Sequence, residues 1–260
     1  MKIGHMNSPF FPLDEEFRFA AREGFDYLEL TIEPPHSALE DLEPDAILEL
    51  SRETGLDIPV THNSWYIPYA NPLPAVSRAC LPYLENCLEI SSRVGAGLAN
   101  IHTNLSYSSK LIDRVILNHI DFLRRLVDAG RRRGVEIILE PVGSRYDTFA
   151  TLSLILDEVE GLGFHLDLGH SHITESDSGA ALIRRHAERL RHVHLSDNRG
   201  REDEHLPLGC GNLPLERLLG VLNEIGYDGT FTLEIFSPDR GYLLASRDTL
   251  ASTWQRVTDT

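Results

Sequence analysis

Residues 98–140 read LANIHTNLSYSSKLIDRVILNHIDFLRRLVDAGRRRGVEIILE. This segment opens and closes with short apolar runs, Leu98 to His102 and Glu136 to Glu140. Between the two runs, an apolar stripe at helical spacing is formed by Ile112, Ile116, Ile120, Leu123 and Val127. A strand, an amphipathic helix and a second strand in this order predict two parallel strands joined by a helix that packs on their sheet.

The same pattern of a strand followed by a helix repeats along the whole chain, and no Ser/Gly-rich linker interrupts it. The other predicted strands are Lys2 to His5, Tyr27 to Leu30, Ile58 to His62, Phe164 to Asp167, Arg191 to Leu195 and Thr230 to Glu234. In the first helix, Asp14 is expected to be the N-cap and Gly24 to end the helix. Eight such units predict the α/β class and a single (β/α)8 TIM barrel over residues 1–260.

A doubly wound open sheet is the alternative architecture. Its usual nucleotide-binding fingerprint, G-x-G-x-x-G after the first strand, is absent, because Gly4 is followed by His-Met-Asn-Ser-Pro.

Charge and hydropathy restrict the partners and the location. The chain has 24 Lys and Arg against 40 Asp and Glu, a formal net charge of −16, so phosphate backbones and anionic membranes are repelled on average. No apolar run approaches the ~20 residues that span a bilayer, and the N-terminus lacks a signal-peptide pattern. The three cysteines show no C-x-x-C spacing, which fits a reducing compartment. We therefore expect a cytoplasmic protein with no membrane partner. The charge disfavours nucleic acid as a partner but does not exclude it.

The predicted strands end in side chains that can bind a metal or transfer a proton. These residues are His5, His62, His102, Glu140, Asp167, His194 and Glu234, whereas the second strand is expected to end at Leu30. In a parallel barrel, all strand C-termini open onto one face, so residues that are distant in sequence converge there. The pattern predicts an active site at that face.

Two short motifs add donors to this face: Asp167-Leu-Gly-His170, and Asp203-Glu-His205 in the loop after His194. Imidazole and carboxylate ligands together suit transition metals, so we expect a divalent ion, zinc or manganese ahead of cobalt or iron.

Other polar and aromatic residues are less specific. His165 should share a side of its strand with Asp167 and support the ligands from behind. His36, His186 and His192 are expected to be surface or structural residues. Trp65 lies in a loop at the barrel mouth, where an aromatic wall for a substrate and simple loop packing are both consistent with the sequence.

Seven motifs occur in order between His5 and Glu234: T-H-N-S-W, N-I-H-T, I-L-E-P, H-L-D-L-G-H, H-V-H-L-S-D, D-E-H-L-P-L-G-C-G-N and T-L-E-I-F. On these motifs the chain resembles the xylose isomerase-like superfamily of TIM barrels, which includes sugar isomerases and epimerases as well as the endonuclease IV repair enzymes. The resemblance implies a single catalytic metal held by Glu140, Asp167, His194 and Glu234. It also matches the remaining ligands of the endonuclease IV three-zinc cluster with His62, His102, His170, Asp203 and His205.

The resemblance implies a metal-dependent isomerase or epimerase that acts on a small sugar or related polyhydroxy carbonyl compound through an enediolate. Glu140 and Glu234 would transfer the proton, and the expected substrate contacts are His170, His5 and Trp65. Tyr146 departs from the pattern of ketohexose epimerases, which tend to carry a glutamate there.

Two other functions stay open: an endonuclease IV-like zinc phosphodiesterase that acts on abasic DNA, and a non-catalytic metal or sugar binder. The first strand lacks the Gly-Gly turn of endonuclease IV, and Glu29 in Y-L-E-L looks more like the sugar-handling branch. The sequence leaves open whether the chain forms a homo-oligomer.

Overall fold

A computed structural model of the chain describes residues 1–174 and 178–259. Within these ranges, eight parallel strands pair in chain order, and the last pairs with the first to close a barrel. The strands are β1 (Lys2–Met6), β2 (Tyr27–Ile32), β3 (Val60–Asn63), β4 (Leu98–His102), β5 (Glu136–Glu140), β6 (Gly163–Asp167), β7 (Leu190–Leu195) and β8 (Thr230–Leu233). The predicted (β/α)8 TIM barrel is confirmed, and the open sheet is excluded.

Helices surround the barrel. They are α1 (Leu13–Glu23), α2 (Pro44–Thr54), α3 (Pro74–Val94), α4 (Ile112–Arg131), α5 (Phe149–Glu158), α6 (Leu168–Thr174), α7 (Ser178–Arg185), α8 (Leu215–Glu224) and α9 (Gly241–Thr258). Their apolar faces and the outward-facing strand residues form the main hydrophobic core. None of the helices in the described ranges is long and apolar enough to cross a membrane.

The first helix begins earlier than the sequence predicted. Pro12 occupies the N-cap position, so the prediction that Asp14 caps the helix is wrong; Asp14 lies in the first turn and pairs with Arg18. A carboxylate there still interacts favourably with the helix dipole. The predicted end is confirmed, because Gly24 adopts a left-handed conformation with φ of 79°.

The interior of the barrel is polar at mid-height, where TIM barrels usually carry branched aliphatic side chains. Side chains alternate across a strand, so residues two positions before the predicted ligands also face inward. Three of these residues are Asn100, His165 and His192, and Glu29 of β2 lies among them; all four are 0% exposed. His192 is therefore a buried residue rather than a surface one, and a layer of polar side chains lies beneath the barrel mouth.

Tyr27 joins three strands at the seam where the barrel closes. Its ring fills the space beside Gly4 of β1. A Cβ added at Gly4 would lie 2.1 Å from the ring, so only glycine fits at this position. The Tyr27 hydroxyl donates a hydrogen bond of 2.7 Å to the carbonyl of Phe231 on β8. A side chain of β2 thus reaches past β1 and contacts the last strand.

Candidate metal centre

The main candidate site is a four-ligand group at the barrel mouth, formed by Glu140, Asp167, His194 and Glu234. Glu140 and Asp167 are the last residues of β5 and β6, and His194 is the second-last residue of β7. Glu234 directly follows β8. One donor atom from each lies within 4.8 Å of the others, and all four residues are buried. His194 Nδ1 is 3.1 Å from Glu234 Oε2 and 3.7 Å from Glu140 Oε1.

The electrostatics of the four-ligand group are set by three carboxylates in one buried volume. Burial, together with the neighbouring Glu234 and Glu140, raises the pKa of Asp167 to about 6. Burial also acts to raise the pKa of Glu234, but His205 and His194 outweigh it and hold that pKa below its ordinary value. The group therefore concentrates negative charge that a cation would neutralise.

Two buried oxygens show that the residues fit a divalent ion. Glu140 Oε1 and Asp167 Oδ2 are fully buried and have no hydrogen-bond partner among the described residues. In folded proteins, buried carboxylate oxygens are normally hydrogen-bonded or bound to a metal, because leaving them unpaired costs free energy. Three carboxylates and an imidazole nitrogen also form a donor set that suits zinc, manganese, cobalt or iron.

A second group shares Glu140 and adds His62 and His102. The Nε2 atoms of the two histidines are 3.0 Å apart, and His102 Nε2 lies 3.3 Å from Glu140 Oε2. The Asn100 side-chain amide donates to Glu140 Oε2 at 2.7 Å, which leaves Oε1 of that carboxylate to the four-ligand group.

A third group contains His170, Asp203 and His205. Asp203 Oδ2 lies 3.0 Å from His170 Nε2 and 2.8 Å from His205 Nε2. Although burial opposes it, hydrogen bonds from the two histidines lower the pKa of Asp203 to about 2. Burial also opposes the shift of His205, whose pKa is raised to about 9 by Glu234 and Asp203. His170 Nδ1 has no hydrogen-bond partner among the described residues and lies 3.6 Å from Glu140 Oε1, so this group adjoins the first.

Asp197 anchors the loop that carries Asp203 and His205. Its buried carboxylate accepts four backbone hydrogen bonds of 2.9–3.0 Å, from Asn198, Gly209, Gly211 and Leu213. An added Cβ at Gly211 would lie 2.2 Å from the Asn198 carbonyl oxygen, so this position requires glycine. Gly209 and Gly211 therefore serve a tight turn around Asp197.

The structure does not bring His5 together with the other predicted site residues. Its Nε2 lies 2.8 Å from Glu16 Oε2, and its ring packs against Phe19 and Phe25 on the helical side of β1. Trp65 lies in the loop after β3, is 58% exposed, and packs against Tyr66 with ring centroids 4.3 Å apart and an angle of 33° between the rings.

Two glutamates near the site were not predicted as site residues. Glu29, in the middle of β2, hydrogen-bonds to three histidines. Glu33 directly follows β2, which ends at Ile32 and not at Leu30 as predicted. Burial and Glu234 raise the pKa of Glu33, against the effects of His62 and Ser64. Pro34 is the sequence feature that could have placed the end of β2 near Glu33, because proline cannot donate to the hydrogen-bond ladder and is excluded from the interior of a central strand.

Comparison with known proteins assigns the family. Residues 17–253 match the model of the xylose isomerase-like TIM barrel family, so the chain belongs to this family. A putative hydroxypyruvate isomerase of Streptomyces coelicolor is 28% identical over 249 residues, which cover 86% of this chain and 85% of that protein.

Solved structures share the fold closely. A D-tagatose 3-epimerase-like protein superposes with a TM-score of 0.89 at 23% identity, covering 100% of this chain and 99% of that chain. The IOLI protein with a bound zinc atom gives a TM-score of 0.82 at 20% identity, covering 99% of this chain and 98% of that chain. Proteins with names of isomerases and epimerases are thus similar to this chain over nearly its whole length.

Proposed function

We propose that the chain is a divalent-metal-dependent isomerase or epimerase of a small sugar or related polyhydroxy carbonyl compound. The observation that carries the proposal is the four-ligand group, which contains two glutamates from strands that are not neighbours, Glu140 and Glu234. Support comes from the similar proteins, whose names refer to hydroxypyruvate and D-tagatose. Both compounds carry a hydroxyl next to a ketone.

The reaction begins at a C–H bond between a hydroxyl and a carbonyl, which is a weak acid. When bound, a divalent ion would supply Lewis-acid polarisation of the carbonyl, an effect worth roughly several kcal/mol. Glu140 and Glu234 would remove the proton and return it. The pKa of each lies below its ordinary value because nearby histidines outweigh burial, so both are in the form that accepts a proton.

Stereochemistry depends on the positions of these carboxylates. Glu140 ends β5 and Glu234 follows β8, and two strands separate them around the barrel. A substrate between them would present opposite faces to the two carboxylates. One carboxylate could then remove the proton from one face, and the other, after taking a proton from solvent, could deliver it to the opposite face. His170 Nδ1, for which the described part of the chain provides no hydrogen bond, would orient a substrate hydroxyl.

The test is exchange of the substrate C–H with solvent deuterium, using a panel of ketoses and aldoses and protein loaded with zinc or manganese. We expect exchange in the wild type and its loss in Glu140→Gln and Glu234→Gln. Glu53→Gln, on the exposed surface of α2, is the matched control and should exchange normally. Metal content measured for every variant separates loss of the ion from loss of the base. Undiminished exchange in both site variants would refute the assignment.

A second candidate is zinc-dependent hydrolysis of the phosphodiester at an abasic site in DNA. The observation that favours it is that three of the candidate groups together contain all nine predicted ligands, and two of these three share Glu140. Clustered ions can activate hydroxide and stabilise a leaving group. Close to three zinc ions per chain together with incision of abasic duplex would support this reaction. One ion per chain and no incision at any salt concentration would remove it.

A further inference from the structure

Glu29 is a buried carboxylate that none of the catalytic steps above uses. It lies on β2 beneath the ligand groups, is 0% exposed, and contacts one ring nitrogen on each of three histidines. The distances are 3.1 Å to His62 Nδ1, 2.8 Å to His192 Nε2 and 3.0 Å to His194 Nε2. Two of these histidines belong to different ligand groups, since His194 is in the four-ligand group and His62 is in the second.

The hydrogen-bonding chemistry of these groups fixes where the protons are. An ionised carboxylate can only accept hydrogen bonds, so each of the three contacting nitrogens must carry a hydrogen. Three ring nitrogens lie within 3.1 Å of the Glu29 carboxylate, and a carboxylate with three such neighbours acts as their acceptor. In a neutral imidazole with one N–H, the other nitrogen is a lone-pair donor.

The second nitrogen of each ring has a different surrounding. His192 Nδ1 lies 2.6 Å from the hydroxyl of Thr230, which can donate to it, so His192 is satisfied by the protein. His194 Nδ1 lies 3.1 Å from Glu234 Oε2, and His62 Nε2 lies 3.0 Å from His102 Nε2. For His194 the facing atom is an acceptor, and for His62 it is another ring nitrogen. A shared proton or a cation is needed at both places.

We propose that Glu29 is a positioning residue that fixes the tautomers of both His62 and His194, and so prepares two ligand groups for metal with one carboxylate. It holds a hydrogen on His62 Nδ1 and on His194 Nε2, which leaves His62 Nε2 and His194 Nδ1 to face the groups. The inference rests on the metal centre of the proposed function but not on its catalytic steps. Carboxylates that orient a ligating histidine typically change metal affinity by about 10- to 100-fold.

The geometry also distinguishes two substitutions at this position. Glu29→Leu removes the acceptor for all three rings. Glu29→Gln can keep its oxygen toward His62 and His194 and turn its amide toward His192, whose other nitrogen would then donate to Thr230. His194 Nε2 lies 3.0 Å from both oxygens of Glu29, so it keeps one acceptor and gains one opposed NH2 group. We therefore expect Glu29→Leu to weaken zinc binding at both groups by about 10- to 100-fold, and Glu29→Gln to recover part of that loss. Thr230→Val removes the Thr230 hydroxyl, which contacts His192 and Tyr27, but leaves Glu29 in place. It is the matched control and should bind zinc within about 2-fold of the wild type, far short of the second-sphere effect.

The experiment combines zinc titration against competing chelators with 15N NMR of the histidine rings in the zinc-loaded protein. We expect His194 to be protonated at Nε2 and His62 at Nδ1, each with its other nitrogen bound to zinc. The opposite tautomer on either ring in the wild type would overturn the proposal, even if Glu29→Leu failed to fold. Zinc affinities in Glu29→Leu equal to those of the wild type would also overturn it. A protein with the expected tautomers but no isomerase activity would refute the proposed function and leave this inference standing.

Discussion

The substitution Asp197→Asn tests whether one carboxylate organises the third ligand group. Asp197 accepts two backbone N–H groups at each carboxylate oxygen: Asn198 and Leu213 at Oδ1, and Gly209 and Gly211 at Oδ2. An asparagine keeps one oxygen but turns an NH2 group toward two backbone donors. Two of the four hydrogen bonds are lost, and their two backbone N–H groups then face the NH2 group. The two hydrogen bonds that remain go to a neutral oxygen instead of a charged one.

The expected cost follows from these contacts. A hydrogen bond to a charged group contributes about 1.5–3 kcal/mol, and leaving a buried donor unpaired costs about 1–3 kcal/mol. Because the loop can relax and admit water, we expect a net loss of about 3 kcal/mol, less than the sum of the separate contributions. For a chain of this size, that lowers the Tm by roughly 6–10 °C. The loop carrying Asp203 and His205 should loosen, whereas the four-ligand group, held by the strands, should remain.

Thermal unfolding of the metal-free protein and zinc titration against competing chelators would measure both effects. We expect a lower Tm and weaker binding at the group of His170, Asp203 and His205, with unchanged binding at the four-ligand group. Asp239→Asn is the matched control, because Asp239 accepts one backbone hydrogen bond from Gly241 in an exposed turn. An unchanged Tm in Asp197→Asn, or an equal loss of affinity at both groups, would refute the reasoning.

Three further predictions concern pH, packing and substrate contact. Burial lowers the pKa of His119 to about 3, so below pH 6.5 the unfolded state binds a proton that the folded state excludes. The free energy of unfolding therefore decreases as the pH is lowered. Urea unfolding should show that the wild type loses about 3 kcal/mol more than His119→Gln between pH 6.5 and 4; equal slopes would contradict this. Gly4→Ala should destabilise the protein by about 1–3 kcal/mol through the clash with Tyr27, whereas the control Gly220→Ala, in an open helical position, should be neutral or stabilising in the same assay. Trp65→Ala should leave the Tm nearly unchanged because its side chain is 58% exposed, and should raise KM if the ring contacts substrate; an unchanged KM would remove Trp65 from the substrate site.

The convergence of the predicted ligands could be foreseen because the ends of the strands are well marked in the sequence. Once the repeat of strand and helix indicated a parallel barrel, the positions of Glu140, Asp167 and His194 at the mouth followed from topology. The exact strand ends were harder to predict: β1 ends one residue later and β2 two residues later than the sequence indicated. His5 packs against Phe19 and Phe25 and so faces the helices. Its strand neighbours Gly4 and Met6 face the interior, because neighbouring residues of a strand point to opposite sides.

Other residues of the centre left little trace in the sequence. Glu29 lies in the middle of a strand, and its three histidine partners come from β3 and β7, so their contact depends on the closed barrel. Asp197 acts through backbone N–H groups, which every residue except proline supplies, and no side-chain pattern marks such a contact. These interactions become visible only when the register of all the strands is known.

The seam at Tyr27 has a consequence for how the chain folds. Tyr27 and its partner Phe231 are 204 residues apart, and the ribosome makes the strand that contains Phe231 last. Throughout most of synthesis, β1 therefore has one partner instead of two, and its free edge is open to pairing with other chains. Contacts this distant form slowly, because a long loop must close first. Closure between β1 and β8 should thus be a late step in folding, and a nascent chain that stalls before Thr230 should be the species most prone to aggregate.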